Sequence, residues 1–353
     1  MVEVRPPWRV PLLILGFASL IIGVGAGLLR LGWAVPRPAS ELAVFHGPLM
    51  VSGFFGTLIS LERAVALGRL WGYLGPLAAG VGALVIIMSG PAAAGQALLA
   101  LGSAVLLVGS AWVFLRQRAL FTFTLASGAA SWLVGNLLWL YGFSVFEVVP
   151  WWAGFLVLTI SGERLELSRF LRVTAKAQRV FGVIMVIMAF GMIFQVQVFG
   201  ATLVALTVWL FRQDIARRTV KEKGLTRFIA VCLLSGYVWL AVSGLVMLAA
   251  GLEPGTLAYD AAVHSLMLGF VFSMVFGHAP VILPSVLRVP LPYHPVSYVP
   301  LILLHFSLIV RLAGDALADQ GVRSMGGMLN AIALAAFILN TIAAVARGQL
   351  KKS

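Results

Sequence analysis

Five histidines are the side chains best able to do chemistry in this chain: His46, His264, His278, His294 and His305. His46 and His264 sit in apolar, aromatic runs, AVFHGPLM and AAVHSLML. An imidazole in such a place is costly unless it bonds a carbonyl or water, or ligates a metal. With one cysteine, Cys232, no disulfide framework or cysteine cluster can be built, so a metal here would use His, Met or carboxylate. Two imidazoles brought together from facing helices suit an iron porphyrin, because the macrocycle is apolar and its propionates seek arginine at a membrane edge. Arg30, Arg37 and Arg311 are placed for that role, and Met50 and Met267 lie beside the two histidines, as soft ligands or as packing.

His278 lies 14 residues beyond His264, about 21 Å along a helix, so the two cannot share one metal. Pro280 and Pro284 follow it and interrupt helical hydrogen bonding, which leaves His278 at a broken-helix site or capping loosened carbonyls. His305, within LILLHFSL, falls near mid-membrane and must be ligated or hydrogen-bonded to a Ser or Tyr on a neighbour. The candidate metal ligands are therefore His46, His264, His278 and His305, while His294, in LPYHPVSY, reads as interfacial. Glu62 and Glu163 are each followed by Arg at a helix end, which fits a local ion pair or a proton entry point.

The elements that must position these residues are membrane helices. Of 353 residues, 61% are hydrophobic and 10% charged, whereas a soluble domain carries about a quarter charged, so a soluble globular protein is excluded. Apolar runs at about 10–32, 44–66, 71–89, 93–115, 120–142, 148–169, 177–195, 197–213, 226–250, 256–283, 296–314 and 325–347 are each long enough to cross a bilayer. The expected fold class is all-α, a polytopic bundle of twelve transmembrane helices in one integral domain, 1–353, since no hydrophilic linker interrupts it. The opening stretch MVEVRPPWRVPLLILGF lacks a small-residue cleavage site and reads as a retained first span.

The net charge of +13 would suggest nucleic acid in a soluble protein. Here, with the N-terminus inside, all Lys and Arg except Arg30, Arg37, Arg311 and Arg323 fall on the cytoplasmic side. The surplus is thus topology, and it places both termini in the cytoplasm. Charges dispersed over short loops make no nucleic-acid site. The densest run, RQDIARRTVKEKG at 212–224, reads as a loop against anionic lipid.

A four-span repeat is visible. Ile59-Ser60-x-Glu62-Arg63 in span two matches Ile160-Ser161-x-Glu163-Arg164 in span six. With a two-residue gap, span ten aligns His264 on His46, Gly269-Phe270 on Gly53-Phe54 and His278 on Glu62, while Glu147 takes the His46 position before span six. A threefold repeat of four helices would bring His46 and His264 face to face near the outer surface, and Glu62, Glu163 and His278 to one cytoplasmic level.

FHGPLMVSGFF entering span two and VHSLMLGFVFSMVFGH in span ten, within twelve spans, resemble the NnrS family of membrane proteins. That family is associated with bacterial denitrification and nitric oxide stress, and its founding members contain haem and copper. More distantly the pattern is similar to the catalytic subunit of haem-copper oxidases and nitric oxide reductases, in which histidines on the second and tenth of twelve helices hold a low-spin haem. The resemblance implies a prokaryotic inner-membrane protein with His46 and His264 as axial ligands of a haem b. It further implies an electron-donor protein or quinol as partner, and nitric oxide as a ligand. This chain departs from the pattern: spans six and seven hold no histidine, span ten has no His-x-His, and Gly277-His278-Ala279-Pro280 stands where the family carries a Gly-His-Thr-Gly-Arg-like segment. The expectation is one six-coordinate haem, copper not favoured, and a role in electron transfer, sensing or detoxification, whether or not as an enzyme. The alternative is a proton-coupled secondary transporter using Glu62, Glu147, Glu163 and span ten.

Overall fold

The computed structural model describes residues 4–90, 92–168 and 174–350. Arg169, Arg172, Lys351 and Lys352, counted above among the cytoplasmic charges, lie outside the described residues. Twelve helices are long and apolar enough to cross a membrane: α1 Pro6–Arg30, α2 Ala43–Leu67, α3 Leu70–Ile87, α4 Ala92–Arg116, α5 Leu120–Leu140, α6 Val145–Leu167, α7 Ala175–Phe194, α8 Val196–Gln213, α9 Gly224–Ala250, α10 Leu257–Leu287, α11 Pro295–Ala316 and α12 Gln320–Leu350. Every end lies within five residues of its sequence-derived position, and no strand occurs among the described residues. The polytopic all-α bundle is the fold.

Local chemistry explains the helix ends. α2 stops at Gly68, whose φ of 62° is the left-handed turn that glycine adopts without a Cβ clash. α7 and α10 begin at threonines, Thr174 and Thr256, whose hydroxyls accept the Ala177 and Tyr259 amides. Glu147 caps α6: its carboxylate accepts the Ser144 amide at 2.8 Å and hydroxyl at 2.7 Å.

Two of the helices are not uniformly α-helical. α2 contains a π-helical stretch, Leu49–Phe55, and α10 contains another, Ser265–Phe272. The prolines of α10, expected to break it, do not: the α-helix runs from Ser273 through Pro280 and Pro284 to Leu287. The irregularity lies upstream of them, directly after His264. A π stretch inserts extra residues into the turn and is found chiefly at functional positions.

The chain divides into two compact units, Met1–Glu163 with Val286–Arg288, and Arg164–Ser285 with Val289–Ser353. The boundary falls near the end of α6, so the compact units follow halves rather than the thirds of the four-span repeat. In unit 1 the interior holds a neutral polar network. Trp132 Nε1 donates to Ser52 Oγ at 2.9 Å, Ser52 to Asn136 Oδ1 at 2.9 Å, and Trp152 Nε1 to the same oxygen at 3.1 Å. Asn136 donates onward to the Leu99 carbonyl at 3.2 Å. One network thus ties α2, α4, α5 and α6, with Trp132 stacked on Phe155 at 5.0 Å. Gly56 is required there, since any Cβ would overlap the Trp132 ring.

Candidate functional site

His46 opens α2 beside α1. Its Nδ1 donates to the Gly23 carbonyl at 2.7 Å, and a Cβ on Gly27 would stand 2.7 Å from its Cε1. Two glycines one turn apart on α1 therefore make the shelf on which the imidazole lies. Because a carbonyl only accepts, Nδ1 carries the proton, and in the neutral ring Nε2 carries the lone pair. Met50 packs on the same shelf, its sulfur 3.0 Å from where a Gly23 Cβ would be.

His264 ends the first α-helical segment of α10. Its Nδ1 donates to the Asp260 carbonyl at 2.9 Å and lies 3.2 Å from the Asp260 carboxylate. Arg311 holds that carboxylate with two bonds, Nε and Nη2 to its two oxygens, each at 2.8 Å. His264 thus has the same tautomer as His46, with a carboxylate behind it, the arrangement that orients a ligating imidazole and raises its basicity. His264 immediately precedes its π-helical stretch and His46 stands before its own with Gly47 and Pro48 between, and each stretch contains a glycine at a close approach, Gly53 on Ser19 and Gly269 on Trp239. The alignment that set His264 on His46 and Gly269 on Gly53 therefore has a local structural counterpart. The two histidines belong to different units, and each is described in its own surroundings.

Arg311, expected near a propionate, is engaged by Asp260. Arg37, also expected there, pairs with Glu41 at 2.9 Å on the exposed surface. Arg30 is exposed at the end of α1 and Met267 is half-buried in the π stretch of α10.

His305 is held by hydrogen bonds, the alternative to ligation raised by its depth. Trp239 Nε1 donates to its Nδ1 at 2.9 Å, so Nε2 carries the proton and donates to Ser235 Oγ, also at 2.9 Å. Both nitrogens are thereby used. His294 is exposed and caps the turn before α11, its Nδ1 accepting the Val296 amide at 3.2 Å.

The Glu-Arg motifs make ion pairs across spans. Arg63 donates to Glu163 at 2.8 Å, joining the first Glu-Arg motif to the second within unit 1. Arg164, the next residue, turns to unit 2, where its Nη1 donates to His278 Nε2 at 3.3 Å. His278 is the residue aligned on Glu62 and Glu163, so the same step, Arg of one motif to the acceptor of the next, occurs twice. His278 is not at a break: its Nδ1 donates to the Met274 carbonyl at 2.7 Å.

Arg164 also makes a buried bidentate ion pair in unit 2. Its Nε and Nη2 meet the two oxygens of Asp214 at 2.7 and 3.1 Å. Tyr237 donates to Asp214 at 2.8 Å, and the Ala216 amide at 2.6 Å. Asp214 was read as part of a lipid-facing basic loop; it is 1% exposed and Ala216 0%. A carboxylate with four donors, two of them from one bidentate guanidinium, is the form in which a buried charge is tolerated. Asp214, Asp260 and Asp315 are interior carboxylates that reading the histidines missed. A signal was present, in the four-residue spacings Asp260 to His264 and Arg311 to Asp315.

Among the described residues no three His, Cys, Asp or Glu side chains converge on one point as a metal site requires. A haem asks less of the protein, only axial nitrogens and an apolar slot.

The family model described as "Domain of unknown function (DUF8744)" matches residues 9–346. No curated protein and no solved structure matches the chain.

Proposed function

We propose, for a chain that belongs to the DUF8744 family, that it is a haem-binding integral membrane protein in which His46 and His264 are the axial ligands. One observation carries the reading. In α2 and in α10 alike, a half-buried histidine shortly before a π-helical stretch gives its Nδ1 proton to a main-chain carbonyl, of Gly23 and of Asp260, which assigns the lone pair to Nε2. That donor chemistry fits low-spin iron. A haem b bound there would supply a one-electron couple. The protein's own contribution is the Asp260 carboxylate behind His264, which would lower the potential by favouring the higher charge on iron. The likeness to NnrS sequences directs the role toward nitric oxide and nitrogen-oxide metabolism, as electron transfer, sensing or detoxification, with a quinol or a donor protein as partner, in a prokaryotic inner membrane. Copper is not part of the proposal.

A proton-coupled transporter is the second reading, and the ionised side chains inside unit 2 favour it. Glu147, one of the carboxylates it drew on, is instead an exposed helix cap. The reduced-minus-oxidised absorbance spectrum of the full chain, expressed with a haem supply and purified, separates the two. A b-type spectrum in stoichiometric amount is expected; a chain that never takes up haem overturns the proposal.

A further inference from the structure

In unit 1 two arginines converge on one indole. Arg116 ends α4 and lies over the ring of Trp112, one turn back, with its guanidinium carbon 3.9 Å from the ring centroid. Arg69, in the turn between α2 and α3, approaches the same ring at 5.7 Å. The two guanidinium carbons are therefore no farther apart than those two distances together. Trp71, in the same turn as Arg69, rests over Gly109 of α4, where a Cβ would stand 3.6 Å from its Cη2. The turn is thus docked on α4 by two neighbouring contacts, and both guanidinium groups are held in place. A guanidinium stacked on a ring uses its face, and its N–H donors, which lie in its plane, stay free to meet an acceptor.

Two like charges at one ring repel unless an anion stands near both. The chain supplies none there: no acidic residue occurs between Glu62 and Glu147, across the whole of α3, α4 and α5. Glu147 is bound to Ser144 at the other end of α5, and Glu163 to Arg63. Among the described residues neither Arg69 nor Arg116 makes an ion pair or a side-chain hydrogen bond. Both are exposed, and so are their apolar neighbours Leu70, Trp71 and Leu115. Cations beside exposed apolar and aromatic side chains, at the ends of apolar spans, match the boundary between lipid headgroups and acyl chains. We propose that Arg69 and Arg116 form a binding site for the phosphate of an anionic phospholipid, with its oxygens accepting from both guanidinium groups and its chains against Leu70, Trp71 and Leu115. Bidentate donation to phosphate and the stacked, preorganised side chains distinguish this site from the basic loop at 212–224, where Asp214 and Glu222 stand among the cations. The inference does not rest on haem.

Fluorine NMR of the full chain tests it, with the tryptophans replaced by 5-fluorotryptophan and Trp112 assigned through Trp112→Phe. The chain is placed in phosphatidylcholine nanodiscs containing graded amounts of phosphatidylglycerol. The Trp112 resonance is expected to move and saturate as phosphatidylglycerol is raised. Arg69→Gln combined with Arg116→Gln should need an about tenfold higher fraction for the same response, while the other tryptophan signals report an intact fold. Arg217→Gln with Arg218→Gln removes the same charge from exposed positions in unit 2 and should leave the response unchanged. Inorganic phosphate added to pure phosphatidylcholine discs should leave the resonance in place. A Trp112 signal indifferent to phosphatidylglycerol would leave the two arginines to an acidic protein partner and overturn the assignment. So would an equal response in the Arg69 and Arg116 variant, an equal loss in the Arg217 and Arg218 variant, or a shift with inorganic phosphate alone.

Discussion

In unit 1 Arg9 is buried against the Val4 and Val286 carbonyls, while the polar network of Ser52, Trp132, Asn136 and Trp152 is neutral, and each bond between them joins two helices. In unit 2 the buried polar side chains include acids and bases together: Arg164, Asp214, Arg311 and Asp315. Neutral networks specify packing at modest cost, because removing one member leaves a dipole unpaired. Charged ones impose a much larger penalty when a partner is lost, and a fold that retains them inside a membrane is using them. The contrast is therefore between an arginine held by carbonyls in unit 1 and paired acids and bases in unit 2.

The comparison is broken most readily at Asp214. Asp214→Ala leaves Arg164 buried without its carboxylate and is expected to cost about 3–5 kcal/mol, seen as a large drop in thermal midpoint in detergent. Replacing both, Arg164→Met with Asp214→Leu, should recover much of the loss. In unit 1, Asn136→Ala removes the acceptor of Ser52 and Trp152 and is expected to cost about 1–3 kcal/mol. Should the Asp214 variant prove no worse than the Asn136 variant, the contrast between the units would be lost. Gly56→Ala and Gly269→Ala form a matched pair, each driving a methyl into an indole. Both should cost on the order of 1 kcal/mol or more through overpacking, and Gly269→Ala should in addition shift the α10 π stretch and any spectrum of His264. At the small end, Arg37→Ala removes an exposed pair with Glu41 and should change neither stability nor spectrum, because exposed ion pairs contribute little. A spectral change in that variant would return Arg37 to the cofactor.

The spans were legible because apolar length alone defines a membrane helix, and Ser235 as the class of partner for His305 followed from depth. The π stretches were not, since an extra residue in a turn leaves no mark on a run such as SLMLGFVF that is apolar on every face. Asp214 was misplaced because its neighbours, Arg212, Arg217 and Arg218, dominate a window average while the one acidic residue among them points inward. The pairing of Arg63 with Glu163 was not legible, since a local ion pair was expected of each Glu-Arg motif: adjacent residues on a helix diverge by about 100°, so Arg63 reaches a carboxylate on another span.

The central claim is that His46 and His264 are axial haem ligands, and single ligand exchange tests it directly. His46→Met and His264→Met, each in the full chain with haem supplied, should keep a bound haem, alter its low-spin spectrum and raise its reduction potential, as methionine ligation does. Spectra and potentials unchanged in both variants would contradict the account.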